Sequence, residues 1–354
     1  MNNNKKWNIA VLCASLVIPL AVMAINYYMD PFWCFPFSHK YNRYQEIINE
    51  RIQKTNYLTY GDTVYQGILI GTSRSTCINQ HSFKGITVFN YSCNGLRLRE
   101  YEKYIKYAKK RCGGTVKYIF LGLDFSQTQE FIETQPLITT AGNEKSMDPD
   151  QIIAQVNSLL HRIKTLLSVD SLKYSVQNFR NNFKIPTYYY TRDNVKVHSG
   201  YPPQVLDKII SLYLDYYKKK WFPHYTYSNK YVSILKKIKS ENKDATIIVY
   251  TTPDCDILLK EYVNHGLLDS YFRWVSEIVT VFGGCYHFMY PNKVTHDYYK
   301  YFHDTNHTNP NVGDMIAGVI FNDKHHPGND FGLYIDKHNF AERKKYIEYL
   351  FRKL

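Results

Sequence analysis

The stretch that decides the fold runs from Ile68 to Ser75 and reads ILIGTSRS. An apolar run ends abruptly at Gly71, and Ser73 follows two residues later. A short apolar run that is bounded by a glycine is typical of a buried β-strand. The serine is therefore either a loop residue that closes the strand or a nucleophile at the edge of a sheet.

Four more apolar runs of the same character follow along the chain, and amphipathic segments lie between them. Alternation of this kind is typical of a parallel sheet that helices cover on both faces. The sequence therefore predicts an α/β fold with a five-stranded parallel sheet. The predicted strands are Gly67–Gly71, Ile86–Asn90, Lys117–Gly122, Ala245–Thr251 and Gly284–Met289.

An uncharged apolar run occupies residues 9–25, and Lys5 and Lys6 precede it. With its flanking aromatic residues the run is about 20 residues long, the length that a helix needs to cross a bilayer. Lysines on the short side indicate an N-terminus in the cytoplasm, with the rest of the chain periplasmic or extracellular. We predict one transmembrane helix in an N-terminal anchor of residues 1–29. A cleaved signal peptide is the alternative.

Residues 125–240 interrupt the alternation between the third and fourth predicted strands. They contain apolar residues at helical spacing, for which Asp148 or Asp150 is a suitable cap, and then a tyrosine-rich polar stretch. We interpret them as a helical insertion and not as a separate domain. The α/β domain then spans residues 67–354, and residues 30–66 form a juxtamembrane connector.

The 354 residues include 44 basic and 31 acidic ones, a formal net charge of +13. A solvated basic surface, an anionic glycan and an anionic membrane surface are each consistent with this excess. There is no zinc-finger spacing and no RNP-like strand, so the sequence does not predict binding of nucleic acid. The seven cysteines lack CxxC or Cys/His metal spacing, which indicates buried thiols, with one or two disulfides as the alternative.

Polar residues with catalytic potential follow four of the five predicted strands. In an open parallel sheet, ligands bind outside the carboxyl ends of the strands, where the loops converge. We therefore expect these residues to lie at one edge of the sheet. They are Ser73 after the first strand, Asn94 and Gly95 after the second, Asp124 after the third, and Asp304 and His307 beyond the fifth.

A hydrolytic serine needs a base that takes its proton and an acid that orients the base. The spacing of Asp304 and His307 lets the carboxylate reach the near ring nitrogen while the far nitrogen points outwards. The sequence therefore predicts a triad of Ser73, His307 and Asp304. Backbone N–H groups of Ser73 and Gly95, with the side chain of Asn94, are the predicted oxyanion donors.

These residues also carry a resemblance to a known family. GTSRS resembles the first sequence block of the SGNH/GDSL hydrolase superfamily, NYSCNG its second block, and DTNH its Asp-x-x-His block. The anchor followed by NYYMDPFW is similar to membrane-tethered members related to the alginate O-acetyltransferase proteins. The resemblance implies a flavodoxin-like three-layer α/β/α fold, with Ser73 as nucleophile, His307 as base, Asp304 as its partner, and no cofactor. It also implies activity on esters.

Two positions depart from the pattern of the family. Thr72 stands where the first block has aspartate, and Asp124 stands where the third block supplies an asparagine to the oxyanion hole. An ionised carboxylate cannot donate a hydrogen bond and repels an oxyanion. Either the Asp124 side chain points away from the oxyanion hole, which two backbone donors and Asn94 then form, or the catalytic turnover is weak. With Asn94 and Gly95, Asp124 and Arg74 complete the candidate oxyanion and substrate-binding residues.

The sequence supports a membrane-tethered serine esterase or O-acyltransferase that acts on acyl esters of an envelope or exported polysaccharide. The alternative is a catalytically weak or inactive protein of the same fold that binds a glycan or scaffolds a membrane-bound acyltransferase.

A third hypothesis makes His303, Asp304 and His307 the ligands of a metal-dependent hydrolase. Two histidines four residues apart suit zinc on a helix, but Pro310 and the asparagine-rich loop argue against a helix there. We therefore predict no metal site.

Overall fold

A computed structural model describes residues 3–131, 148–322 and 331–354 of the chain. Its α-helices, in chain order, are α1 Asn3–Met29, α2 Glu50–Tyr60, α3 Leu98–Arg111, α4 Pro149–Val156, α5 His161–Leu167, α6 Val169–Arg180, α7 Pro203–Tyr216, α8 Tyr231–Glu241, α9 Asp256–Asn264, α10 Leu268–Phe282, α11 Lys293–His296, α12 Tyr298–Tyr301, α13 Pro310–Ala317 and α14 Phe340–Phe351. Its strands are β1 Gly67–Ile70, β2 Val88–Asn90, β3 Tyr118–Leu123, β4 Tyr188–Tyr190, β5 Lys196–His198, β6 Thr246–Thr251, β7 Gly284–His287 and β8 Leu333–Asp336.

The chain separates into two compact units, and the first is helical. This N-terminal unit consists of Met1–Thr63 with Met147–Asn194. Helices α5 and α6 pack against α1 within it. Near the end of α1, the Asn26 amide donates to the carbonyl oxygens of Leu166 at 2.8 Å and Ser168 at 3.1 Å. These bonds satisfy carbonyls at the end of α5, which have no partner inside their own helix.

Helix α1 lies within the predicted anchor of residues 1–29 and is 27 residues long. None of the helices in the described ranges combines the length and the apolar character that a membrane span requires. The structure therefore does not support the predicted transmembrane helix.

The second unit, which we call the sheet unit, consists of Val64–Ser146 with Val195–Leu354. It contains a six-stranded sheet in the order β2-β1-β3-β6-β7-β8. The first five strands are parallel, and they follow the 2-1-3-4-5 order of flavodoxin-like doubly wound sheets once β4 and β5, which lie outside this sheet, are left out of the count. Because β1 is apolar throughout and fully buried, it has the character expected of a central parallel strand.

Helices cover the sheet because each presents one apolar face. Helix α3 buries Tyr101, Tyr104 and Ile105, and α10 buries a longer stripe that includes Trp274 and Ile278. Both stripes repeat at the spacing of one helical face. The α/β architecture predicted from the sequence is confirmed.

The predicted five-stranded parallel sheet is wrong in one respect, because the sheet has six strands and is mixed. The additional strand is β8, which pairs antiparallel with β7 from Gly284↔Asp336 to His287↔Leu333. Its four residues, LYID, are partly exposed at the sheet edge, so they lack the continuous apolar run that identified the other strands.

The boundaries of the two units also differ from the predicted boundaries of the connector and the insertion. Residues 148–194 of the insertion belong to the N-terminal unit, whereas residues 125–131 and 195–240 belong to the sheet unit. A buried ion pair of Arg192 and Asp30, 2.7 Å apart, and backbone pairing of Gln45 with Tyr190 tie the insertion to the predicted connector. The connector is therefore part of a folded core.

The cysteines other than Cys13 are buried. Burial raises the pKa of the thiols of Cys255 and Cys285 to about 12 in each case. The thiols of Cys255 and Cys285 are therefore poor nucleophiles at neutral pH. The interpretation of the cysteines as buried thiols is confirmed for six of them. They are Cys34, Cys77, Cys93, Cys112, Cys255 and Cys285.

Candidate active site

Ser73 lies just beyond the carboxyl end of β1, at the start of a short 3₁₀ turn that runs to Ser75. The turn is tight because Gly71 has no side chain: a Cβ there would meet Ser75 Oγ at 2.2 Å. Thr72 caps the turn by accepting the Arg74 backbone N–H at 3.3 Å. The strand end and the cap together present a half-buried serine at the sheet edge.

The predicted triad residues are in hydrogen-bond contact. Ser73 Oγ lies 2.7 Å from His307 Nε2, and His307 Nδ1 lies 2.7 Å from Asp304 Oδ2. The other oxygen of Asp304 accepts the backbone N–H groups of Asn306 at 2.8 Å and His307 at 2.7 Å. Residues 304–307 therefore form a turn whose own backbone holds the carboxylate beside the imidazole.

The electrostatics of Asp304 are consistent with this arrangement. Burial alone would raise the pKa of its carboxyl, but the charge of His307 and its hydrogen bond outweigh burial, so the pKa is lowered. Asp304 is therefore an anion at neutral pH. An anionic carboxylate keeps Nδ1 of His307 protonated and leaves Nε2 free to accept the serine proton.

Asp124 does not face the serine hydroxyl. One of its carboxylate oxygens accepts the hydroxyl of Thr72, and the other accepts the hydroxyl of Thr252. Its side chain is buried, and its backbone N–H donates to Gln127 at 3.0 Å. The two positions that depart from the family pattern, Thr72 and Asp124, are thus hydrogen-bonded to each other. Both oxygens of Asp124 are used to hold the strand ends together.

Asn94 and Gly95 lie in an exposed turn after β2. The backbone N–H of Cys93 donates to the carbonyl of Gly71 at 3.2 Å, which brings this turn to the end of β1. Gly95 has a φ of +60°, which a side chain would disfavour. The turn therefore lies at the same edge of the sheet as Ser73.

Arg74, a predicted substrate-binding residue, is buried. Its guanidinium is buried, and Nη1 lies 2.7 Å from Asp254 Oδ1. Burial would lower the pKa of Arg74, but the charges of Asp254 and Asp124 outweigh it, so the pKa is raised. Burial raises the pKa of Asp254 to about 6, against the opposite influence of Arg74. Arg74 therefore belongs to the support of the site.

Asp254 is a site residue that sequence reasoning missed. It lies in the loop after β6, in TTPDCD, and thus at the carboxyl end of a strand like the other site residues. The rule that ligands bind at the carboxyl ends of parallel strands could have identified Asp254 from the sequence. The next residue, Cys255, donates its backbone N–H to the Thr305 carbonyl at 3.0 Å, so this loop also supports the turn of residues 304–307.

Two further histidines lie beside the triad. The ring of His303 stacks on His198, with centroids 4.1 Å apart, and lies 5.7 Å from the ring of His307. Burial lowers the pKa of His198 to about 4 and that of His303 to about 3. Both imidazoles are therefore neutral at pH 7. No sequence signal linked His198 to the site, since it comes from β5, far from residue 303 in the chain.

The candidate metal ligands His303, Asp304 and His307 have ligand atoms within 4.8 Å of one another. However, the Nδ1 of His307 and Oδ2 of Asp304 are bonded to each other, and Nε2 of His307 faces Ser73. A metal ion would have to break these contacts. The donor set fits a proton relay better than a metal centre.

Comparisons of the chain with models of protein families, with curated proteins and with solved structures found no match.

Proposed function

We propose that the protein is a serine esterase or O-acyltransferase with Ser73 as nucleophile, His307 as base and Asp304 as the orienting acid. The observation that carries the proposal is the continuous relay from the serine hydroxyl through the imidazole to the carboxylate, with 2.7 Å at each step. Such a relay is what an activated serine requires.

In the proposed reaction, Ser73 Oγ attacks the carbonyl carbon of an ester, and His307 Nε2 takes the hydroxyl proton. The tetrahedral intermediate collapses, the proton passes to the leaving alcohol, and an acyl-Ser73 ester remains. Water or a second alcohol then attacks the acyl-serine, and His307 takes its proton and returns it to Ser73. The first acceptor gives hydrolysis and the second gives acyl transfer.

The oxyanion of this reaction needs hydrogen-bond donors close to Ser73. The backbone N–H of Ser73 is at the first position of a helical turn and has no acceptor among the described residues. The turn of Asn94 and Gly95 lies at the same edge. Because Thr72 and Thr252 hold both oxygens of Asp124, this carboxylate does not occupy the place of a donor.

We further propose that the chain is related to the SGNH/GDSL hydrolases and that its substrate is an acylated or acyl-accepting polysaccharide, in cooperation with a membrane-bound acyltransferase. The 2-1-3-4-5 order of the parallel strands and the positions of the three sequence blocks at the strand ends support the relationship. The net charge of +13 is consistent with a polymer or a surface of opposite charge.

The decisive experiment is reaction of the full-length protein with a fluorophosphonate, followed by mass spectrometry of the labelled peptide. We expect one adduct, on Ser73, and none in Ser73→Ala. Hydrolysis of p-nitrophenyl acetate should disappear in the same variant. A folded wild-type protein that reacts neither with the probe nor with the ester would support the non-catalytic alternative and overturn the proposal.

We also propose that α1 attaches the protein to a membrane, with the sheet unit outside the cytoplasm. Large apolar side chains on α1 support this, since Trp7 is 70% and Ile18 is 71% exposed. Alkaline extraction of cell membranes tests it. Recovery of the full-length protein in the extract, as for a control soluble protein, would contradict membrane attachment.

A further inference from the structure

The segment that follows α7 contains a π-helical turn, Tyr217–Trp221. Turns of this kind are rare and occur frequently at functional sites. The turn continues α7, so Tyr213 and Tyr217, four residues apart, lie on one side of the helix. That side faces the turn of residues 304–307, and both elements belong to the sheet unit.

Tyr217 contacts this turn directly. The Asn306 amide Nδ2 donates to the Tyr217 hydroxyl oxygen at 2.5 Å. Tyr217 is 5% exposed, and burial raises the pKa of its hydroxyl, so it is neutral and remains an acceptor. Asn306 lies between Asp304 and His307, and its backbone N–H is one of the two that hold Asp304 Oδ1.

The hydrogen bond to Tyr217 restrains the Asn306 side chain. The side chain is buried, and its Oδ1 has no hydrogen-bond partner within the described part of the chain. Removal of the Tyr217 hydroxyl would leave both ends of the amide unsatisfied, which a buried polar group tolerates poorly. The amide would then rotate or move, and the backbone N–H of the same residue would move with it.

Tyr213 lies one helical turn before Tyr217, beside the carboxylate of Asp304. Burial, the charge of Asp304 and a hydrogen bond to Asp304 raise the pKa of Tyr213 to about 12. The same helical face thus meets both Asp304 and Asn306.

We infer that Tyr217 is a positioning residue for the catalytic relay, which it holds through Asn306, and that Tyr213 assists it at Asp304. The inference rests on the proposed function. Tyr217 keeps Asn306, and with it Asp304 and His307, in the geometry that leaves Nε2 within 2.7 Å of Ser73. Small misplacements of catalytic groups have large effects on rate, so a single hydroxyl far from the bond that breaks is important.

The test compares Tyr217→Phe with Tyr216→Phe in the full-length protein. Tyr216 is the preceding residue, is 56% exposed and gives a matched control. We expect Tyr217→Phe to lower kcat for p-nitrophenyl acetate by about tenfold with KM unchanged, and to slow fluorophosphonate labelling equally. Tyr216→Phe should stay within about twofold of wild type, a change below the size assigned to misplacement.

A second comparison separates positioning from folding. If Tyr217 acts through Asn306, then Tyr217→Phe and Asn306→Ala are not additive, and the double variant is no slower than the slower single variant. Unfolding midpoints show whether the folded population is intact. Wild-type rates in a folded Tyr217→Phe protein, or additive losses in the double variant, would overturn the inference. Absence of labelling in the wild type would instead contradict the proposed function itself.

Discussion

Asp124, which follows β3, and Asp304, which lies in the turn between α12 and α13, are buried at the same edge of the sheet, but the two carboxylates have different partners. Asp304 is 4% exposed and binds an imidazole and two backbone N–H groups. Asp124 is 1% exposed and binds the hydroxyls of Thr72 and Thr252. Burial is nearly the same, so it does not distinguish them.

The partners do distinguish them. An imidazole changes its protonation state during acyl transfer, and the carboxylate beside it stabilises the charged form. Threonine hydroxyls do not titrate in this range, so the carboxylate between them only fixes geometry. Of the two aspartates at this edge, we therefore propose that Asp304 takes part in the chemistry and that Asp124 joins the strand ends. The following predictions test that assignment.

The largest difference is expected for Asp304→Asn. The amide preserves the shape of the side chain but removes the charge that keeps His307 in the productive tautomer, so the rate should fall by about 10³–10⁴-fold. Fluorophosphonate labelling and ester hydrolysis measure this, and the thermal midpoint verifies the fold. A variant that keeps a tenth of the wild-type rate would contradict the assignment of Asp304 to chemistry.

Arg74→Met extends the comparison to Asp254, the third buried carboxylate at this edge. The substitution leaves that carboxylate without its partner 2.7 Å away. Breaking a buried ion pair from one side costs about 3–5 kcal/mol of unfolding free energy, which denaturant titration measures. Arg74→Lys, which keeps a charge, is the matched control. Equal stability of Arg74→Met and wild type would show that the pair does not support the site.

Asp124→Asn should act on stability and much less on rate. Its hydroxyl partners lose a charged acceptor, so we expect a loss of about 1–3 kcal/mol of unfolding free energy. The labelling rate of the folded protein should remain within about tenfold of wild type, since a misplacement effect of that order is the most that an indirect role allows. If the rate falls as far as it does in Asp304→Asn, the two aspartates do not differ in role.

The smallest expected effect is a pH dependence of the unfolding free energy that comes from His198 and His303, the histidines beside the triad. The pKa values of His198 and His303, about 4 and about 3, lie below their usual range. As pH falls, both histidines therefore gain a proton in the unfolded chain before they do in the folded protein. Stability is lost as pH falls from about 6.5 towards 4. Between pH 7 and 5.5 we expect a loss of about 1 kcal/mol for each of the two histidines. Denaturant titration of His303→Phe, which keeps a ring but not the titration, should show a shallower dependence than wild type.

Much of the fold was predictable because strands of a parallel sheet are continuous apolar runs. The strand at Gly67–Ile70 lies inside its predicted range, and the strand at Tyr118–Leu123 ends one residue beyond its own. The edge strand β8 was not predictable, since it is short and half-exposed and gains its structure from pairing with β7. The predicted division of the chain also differs from the observed units. The observed N-terminal unit depends on the contact of Asp30 with Arg192, and these two residues are distant in sequence.

The candidate site shows the same division between local and non-local information. The turn of residues 304–307 and the serine after β1 are local patterns, and the rule that strand ends converge was enough to bring them together. The direction of Asp124 was left open by the sequence. It depends on hydroxyls that come from the ends of β1 and β6.

The sequence by itself was enough to predict Ser73, Asp304 and His307 as site residues, because a short apolar run indicates the strand end before Ser73 and turn residues indicate the turn of Asp304 and His307. Only the tertiary structure decided what each buried group does there. The role of Asp124, the pairing of Arg74 with Asp254 and the contact of Tyr217 with Asn306 all join elements that are far apart in the chain. Hydrogen bonds to buried groups are satisfied in three dimensions, and no local pattern specifies which distant donor arrives.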